Sequence, residues 1–418
     1  MNATEVFAYI TLDGKATLVG RLWARAPKGI ESATFIYDDG WLTNPERFAL
    51  EPALSVGPGP QHTRAGKSLF GAIGDSAPDR WGRALLTRAE QRAAKIANRS
   101  PRTLREIDFL LGVSDESRQG ALRFSATLGG PFVAEPGTNS VPPLVDLPRL
   151  LAATEHVLDD TDDASDLRLL LAPGTSLGGA RPKASVRDTD GSLAIAKFST
   201  SHDDYDVALT EGLALSLAAK AGIVVPEWRT EPVGGSTALI LRRFDRAGSG
   251  RIPFLSAMSM LGAIDGEQRS YLEIADALSE HGSAPGEDLR HLWRRMVFTV
   301  LVSNVDDHVR NHAFLHASTA GWRLSPAYDI NPTPTSVRPR VLSTAIDETD
   351  TSASIETCLS VSDYFGLDAD AARDVVREVA AVTKRWRAEA TRTGLAKRDI
   401  ARLESAFDHD DLRFALKL

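Results

Sequence analysis

The sequence predicts an α+β protein of two lobes, a β-rich one followed by a mostly helical one. Three observations carry this expectation. The first forty residues hold three short runs, EVFAYITL, ATLVGRLWA and SATFIYDD, rich in β-branched and aromatic residues. A second β-rich region holds KASVRDTDGSLAIAKF at 183–198 and the pair PEWRTEPV and STALILRRF. From about 254 onward helix-like sequence dominates, in MSMLGAI, YLEIADALSEH, DLRHLWRRMVFTVLVSN, AARDVVREVAAVTKRWRAEATR and AKRDIARLESAF.

Taken in order, the first two runs are joined at Asp13-Gly14, residues that tolerate the positive φ of a tight hairpin. Pro78-Asp79 opens a helix over DRWGRALLTRAEQRAAKIA. The segment GGPFVAEPGTNSVPP, 129–143, carries the densest Pro and Gly and marks a linker or long surface connection. The 183–198 stretch turns at Thr189-Asp190-Gly191, and VALTEGLALSLAAKA reads as a helix ending at Gly222. These elements divide the chain into an N-terminal subdomain, 1–128, the remainder of the small lobe, 129–244, and a helical lobe, 245–418. At ~150 residues per domain, 418 residues leave room for two or three such parts.

Composition narrows the class. Hydrophobic residues at 43% and charged residues at 25% are ordinary for a globular chain. A net charge of −8 argues against coating nucleic acid through bulk charge. The single cysteine, Cys358, excludes an internal disulfide framework and fits a reducing cytosol. The N-terminus lacks a basic segment followed by an apolar stretch, so no signal peptide is expected. The longest apolar runs, such as MVFTVLV at 296–302, fall far short of the ~20 residues that span a bilayer. A cytoplasmic protein without a membrane partner is expected.

The most informative stretch is SNVDDHVRNH, 303–312, which gathers Asp306, Asp307, His308, Asn311 and His312. Another carboxylate, Asp329, follows in SPAYDINPTP after a short hairpin. One carboxylate on such a loop can accept the proton of an attacking hydroxyl. The Asn oxygen and the second carboxylate can hold Mg²⁺, a hard ion that prefers oxygen ligands. Asp and Asn also serve as plain loop and cap residues. A zinc reading competes, because His308 and His312 stand four apart, but Val309 occupies the position where zincins carry Glu.

Two further segments join this one. Gly174, Gly178 and Gly179 precede Lys183 in GTSLGGARPKASV, and glycines let backbone N–H groups approach phosphate oxygens. This is not a Walker A loop, which would need Gly-Lys followed by Ser or Thr and then a helix. Lys197 closes the apolar strand LAIAKF, and Glu211 follows on the next helix. Gly-rich loop, strand Lys, helix Glu, hinge-like strand, Asp, Asn and second Asp is the order of a protein kinase. The fold expected is therefore a two-lobed protein-kinase-like one, with an added N-terminal β subdomain.

Over nearly its whole length the chain resembles the HipA family of serine/threonine kinase toxins of type II toxin–antitoxin systems. LFGAIGDSAPDRWGRALL, 69–86, is similar to the family's Asp-Ser-x-Pro-Asp-x-Trp-Gly-Arg signature. SLGGARPKASV, LILRRFDR, SNVDDHVRNHAFL and LSPAYDINP supply the kinase-part matches, and neither HRD nor DFG is present. The resemblance implies that Asp306 is the catalytic base and that Asn311 and Asp329 hold the metal. It implies a phosphate loop of Gly178, Gly179, Ala180, Arg181, Pro182 and Lys183, with Lys197 on the ATP phosphates. It gives adenine contacts to a hinge at Arg242, Arg243 and Phe244, and places His308 and Tyr328 in the nucleotide site. Arg242 stands where some members carry Glu, so adenine contacts there fall mostly to backbone. Ser176 matches a serine whose autophosphorylation expels the loop and silences the kinase.

The cofactors so implied are ATP and Mg²⁺. The partners implied are a small helix-turn-helix HipB-like antitoxin, which carries most contact with operator DNA, and a protein substrate such as an aminoacyl-tRNA synthetase. A small-molecule kinase on the same fold and a pseudokinase-like corepressor remain as alternatives. The intact set of Lys197, Asp306, Asn311 and Asp329 speaks against the corepressor.

Overall fold

A computed structural model describes residues 3–12, 14–133, 141–171, 181–248, 250–318 and 320–418. Two compact units emerge. The first comprises residues 1–200, 233–235 and 240–264, and the second comprises 201–232, 236–239 and 265–418.

The first unit opens with the strands Thr4–Leu12, Lys15–Arg25 and Ser32–Tyr37, the three runs that the alternation of β-branched and aromatic residues predicts. They form an antiparallel sheet whose order places Gln61–His62 beside the third strand and Leu122–Ser125 beside the first. Asp13 lies outside the described residues, while Gly14 has φ +78°, the left-handed geometry that a tight hairpin demands. The helix after Pro78 runs Arg80–Ile96 and buries Trp81, Gly82, Leu85 and Ala94. Asp79 caps it, accepting the Gly82 N–H at 2.8 Å. Arg83 on its first turn holds Glu106 in a bidentate pair at 2.5 and 2.7 Å.

Two helices, Leu147–Leu158 and Ala164–Leu171, follow the Pro/Gly-rich stretch, most of which, 134–140, lies outside the described residues. The hairpin expected over 183–198 is present as Lys183–Arg187 and Leu193–Phe198, with Lys183 directly opposite Lys197. Residues 240–264 belong to this unit for an electrostatic reason. The buried Asp245 carboxylate accepts from Gly120 N at 2.7 Å, from Arg243 Nε at 2.6 Å and from Arg246 Nη1 at 2.8 Å. Burial works against that charge, but the two guanidiniums prevail and hold the carboxyl well below the usual carboxylate range.

At another buried carboxylate of this unit, burial outweighs the nearby positive charge of Lys67. Glu51 is 2% exposed and accepts the Ala72 N–H at 2.5 Å, and burial pushes its carboxyl up to about 7. Between its ordinary value of 4.5 and that raised value the folded state binds more protons than the unfolded one. Stability should therefore fall as pH rises through this window. Glu51→Gln keeps an acceptor for Ala72 and removes the titration. Thermal melts from pH 5 to 8 should flatten in the variant, with a gain at pH 8 of up to about 3 kcal/mol. Parallel pH profiles for variant and wild type would contradict this account.

In the second unit the helix Val207–Lys220 is capped by Asp206, which accepts the Leu209 N–H at 2.9 Å, and closes at Gly222 with φ +77°. The helices Tyr271–His281 and Pro285–Leu301 follow, then the hairpin Ala313–Ser318 and Gly321–Leu324. The continuous helix that the sequence suggests over 371–392 is two helices, Ala369–Thr383 and Trp386–Thr393. Packing of the fully buried Trp386 accounts for the break. Its ring stacks on Phe407 at 4.6 Å, and its indole N–H donates to Asp408 at 3.1 Å. Among the described residues no helix is long and apolar enough to cross a membrane.

Candidate active site

The second unit presents residues 302–312 as a loop at the end of the helix Pro285–Leu301, and the chain turns there through Ser303, whose φ is +51°. Because this stretch is loop and not helix, His308 and His312 do not share a helix face, as zinc binding at that spacing requires. His312 is buried, with Nε2 3.0 Å from Asp307 Oδ2. Among the described residues no cluster of three or more His, Cys, Asp or Glu could hold a metal.

The loop is pinned from several sides. Thr333 N donates to Ser303 O at 3.0 Å, Ser343 N to Val305 O at 3.0 Å, and the Thr344 hydroxyl to Asp307 O at 2.6 Å. Asn331 N donates to Asn304 Oδ1 at 2.9 Å. Backbone fixed on both flanks holds its side chains without reorganisation at each turnover.

The adjacent carboxylates separate cleanly. Asp307 is buried, bonded by the Tyr271 hydroxyl and by His312. Burial alone would raise its carboxyl, but the His312 charge and these hydrogen bonds outweigh that and hold it below its ordinary value. It is a structural anchor. Asp306 is 59% exposed, and its Oδ1 accepts from Arg338 Nη1 at 2.8 Å. An exposed pair of this kind contributes ~0–1 kcal/mol to stability. Arg338 carries no signal in the sequence reading, being one basic residue among several in a loop.

Asn311 is buried, and its Nδ2 donates to Asp306 O at 3.2 Å. That bond orients the amide and leaves Oδ1 buried with no protein partner among the described residues. A buried acceptor without a donor is costly. A hard cation could satisfy it, with a carboxylate such as that of Asp329 as the charged oxygen ligand. Asp329 stands at φ +59°, a left-handed conformation that few residues other than Gly adopt, and its Oδ1 accepts from Asn331 Nδ2 at 3.2 Å. Tyr328, one residue earlier, donates its hydroxyl to Arg310 O at 2.7 Å and so ties this turn to the loop. His308 lies on the loop with Nδ1 buried and without a protein partner among the described residues.

Other expected site residues lie in the first unit or outside the described part, except Glu211, which belongs to the second unit. Ser176, Gly178, Gly179 and Ala180 lie outside the described part. Arg181 is exposed, and Lys183 is buried with Nζ 2.7 Å from Asp79 Oδ2. Lys197 is half-buried on its strand. Arg242 is exposed and lies 3.3 Å from Asp190. At Arg243, expected in the hinge, the guanidinium is buried on Asp245 and on Ser117 O, and the backbone N–H donates to Leu193 O at 3.0 Å. That side chain serves the core of the first unit. Phe244 packs tilted on Phe254, with ring centres 6.4 Å apart. Glu211 is buried on the helix Val207–Lys220.

Fold and loop together define a kinase-like α+β protein. The chain belongs to the HipA-like C-terminal domain family, whose profile matches residues 175–386. In structure it is similar to HipA of Shewanella oneidensis MR-1, solved with HipB and operator DNA, at TM-score 0.64 and 15% identity over 99% of this chain and 96% of that one. That likeness shows the fold. The Helicobacter pylori proinflammatory kinase CtkA aligns at TM-score 0.46 and 15% identity over 58% of this chain and 93% of that one. A curated Haemophilus influenzae protein that carries a provisional kinase name is 24% identical over 178 residues, 37% of this chain. The chain spans about half the length of that curated relative, 52%.

Proposed function

We propose that the chain is an ATP-dependent serine/threonine protein kinase that arrests growth as the toxin of a toxin–antitoxin pair. The observation that carries this reading is the pinned loop on which Asp306 is exposed while Asn311 Oδ1 is buried without a protein partner. Asp306 accepts the proton of the substrate hydroxyl, which sharpens its oxygen as a nucleophile. Asn311 and Asp329 would hold Mg²⁺, which would supply positive charge to offset that on the transferring phosphoryl group. On the family resemblance, Lys197 and residues 178–183 would receive the ATP phosphates, Arg242, Arg243 and Phe244 would take the adenine, and His308 and Tyr328 would contact the nucleotide. Before any hydroxyl reaches Asp306 Oδ1, Arg338 must yield it or share it.

The partners proposed are a HipB-like helix-turn-helix antitoxin and a translation-related protein substrate such as an aminoacyl-tRNA synthetase. The Shewanella relative was solved with HipB and operator DNA. The net charge of −8 favours DNA contact delivered mainly by the antitoxin. The reading is tested by expressing the chain with and without Asp306→Asn and following growth and protein phosphorylation. Arrest and new phosphoprotein, both lost in the variant, support it, whereas arrest that survives in the variant counts against it.

Ser176 is proposed as the site of self-inactivation. A phosphate adds about −1.5 to −2 charges and would compete with ATP for loop amides. Prolonged incubation with Mg-ATP should put one phosphate on Ser176 and weaken ATP binding more than a hundredfold, ~3 kcal/mol. Ser176→Ala should abolish both changes. Mass spectrometry with nucleotide titration reads the outcome, and phosphorylated Ser176 with unchanged ATP affinity would refute the gating role.

A further inference from the structure

Arg295 lies on the helix Pro285–Leu301, is 5% exposed, and enters none of the chemistry above. Its Nη2 donates to the backbone carbonyl of Ser325, while Nε and Nη1 are buried without a protein partner among the described residues. The carboxylates whose charge favours the guanidinium, Asp288 and Asp307, are taken by other donors. Asp288 accepts from Arg323 Nε at 2.9 Å and from Leu324 N at 3.1 Å, and Asp307 accepts from Tyr271 and pairs with His312. Burial pushes the guanidinium down to about 10, which still leaves it charged at neutral pH. A buried cation without a direct counter-ion is costly, and an apolar side chain would fill the space at less cost. The carbonyl it holds points to its use.

Ser325 is the base of the turn that carries Asp329. It is fully buried after the strand Gly321–Leu324, and its N–H donates to Ala313 O at 2.8 Å. Asp329 holds φ +59°, and a non-glycine residue in that conformation persists only where its surroundings over-determine it. Anchors along the turn are Ala327 N on Val224 O at 2.8 Å, the Tyr328 hydroxyl on Arg310 O at 2.7 Å and Asn331 N on Asn304 Oδ1 at 2.9 Å. Those donors are neutral. The Arg295 bond to Ser325 O has a charged donor, and such bonds are roughly twice as strong.

We infer that Arg295 is a positioning residue for this turn, holding the Ser325 carbonyl from the buried side so that Asp329 keeps its left-handed conformation and presents its carboxylate to a divalent cation. Its action runs through the backbone from Ser325 to Asp329. The inference rests on the kinase reading, because it takes Asp329 as a metal ligand.

Mn²⁺ binding to the full chain in the presence of a non-hydrolysable ATP analogue, read by electron paramagnetic resonance well below the melting temperature, tests this without turnover. The variants are Arg295→Met, Arg295→Lys, Asp329→Asn and the Arg295→Met, Asp329→Asn double variant. Arg295→Met removes the charged donor and should weaken Mn²⁺ binding about tenfold, the usual scale for losing a hydrogen bond to a charged group. Arg295→Lys, which keeps a charged donor, should recover part of the loss. Because Arg295 acts through Asp329, Arg295→Met should cost nothing further once Asp329 is replaced, as groups acting through one another behave. A purely structural arginine would lower the melting temperature yet leave the Mn²⁺ affinity of the folded protein alone. Arg295→Met within about twofold of wild type, or two losses that multiply in the double variant, would overturn the inference and leave the kinase reading standing. Should Arg295→Met fail to fold, Arg295→Gln, which keeps a neutral donor for Ser325 O, is read in its place against the same limit. Wild type that binds no Mn²⁺ with the analogue overturns the kinase reading itself, and the inference with it.

Discussion

Asp306→Asn should cut phosphoryl transfer by about 10²–10⁴-fold, the usual contribution of a positioned general base, while Mg-ATP affinity and melting temperature stay near wild type. The side chain is 59% exposed and its one side-chain partner among the described residues is Arg338, so Asn removes little from the fold. Asp307→Asn should behave in the opposite way. Asp307 is buried between the Tyr271 hydroxyl and His312, so its change leaves a polar cluster partly unpaired and should lower stability by about 1–3 kcal/mol. Initial rates and thermal melts on both variants separate the roles. A near-normal rate in Asp306→Asn would remove this carboxylate from the chemistry.

Asn311→Ala and Asp329→Asn should each lower kcat/KM for Mg-ATP by about 10²-fold or more, roughly 3 kcal/mol. Asn at 329 keeps a residue that tolerates the φ of +59° there, so the loss reports the carboxylate and not the turn. The magnesium concentration for half-maximal rate should rise in both variants, and Mn²⁺ but not Zn²⁺ should substitute for magnesium in wild type. A magnesium titration of the initial rate checks this, and Asp329→Asn with an unshifted magnesium dependence would take Asp329 out of the metal site.

Much of the fold was legible because local chemistry sets it. The β-branched runs became the first three strands, and Asp79 and Gly222 mark helix ends where their capping chemistry predicts. Tertiary contacts decided the rest. Nothing near Asp306 and Asp307 says which is buried; Tyr271, 36 positions away, decides it. The break before Trp386 has no Gly or Pro to announce it and follows from stacking on Phe407. Helices Leu147–Leu158 and Ala164–Leu171 escaped notice beside a Pro/Gly-rich stretch that reads as linker. The Asp79–Lys183 pair joins residues 104 positions apart, and one sequence offers no pattern for such a contact.

The central claim is that the loop bearing Asp306 directs γ-phosphoryl transfer to a protein hydroxyl. The most direct test incubates the purified chain with γ-labelled ATP, Mg²⁺ and a bacterial lysate, then identifies the labelled amino acid, with Asp306→Asn alongside. The account predicts label on serine or threonine of a discrete protein band, absent with the variant. Label confined to a small metabolite, or a protein band that persists with Asp306→Asn, would contradict it.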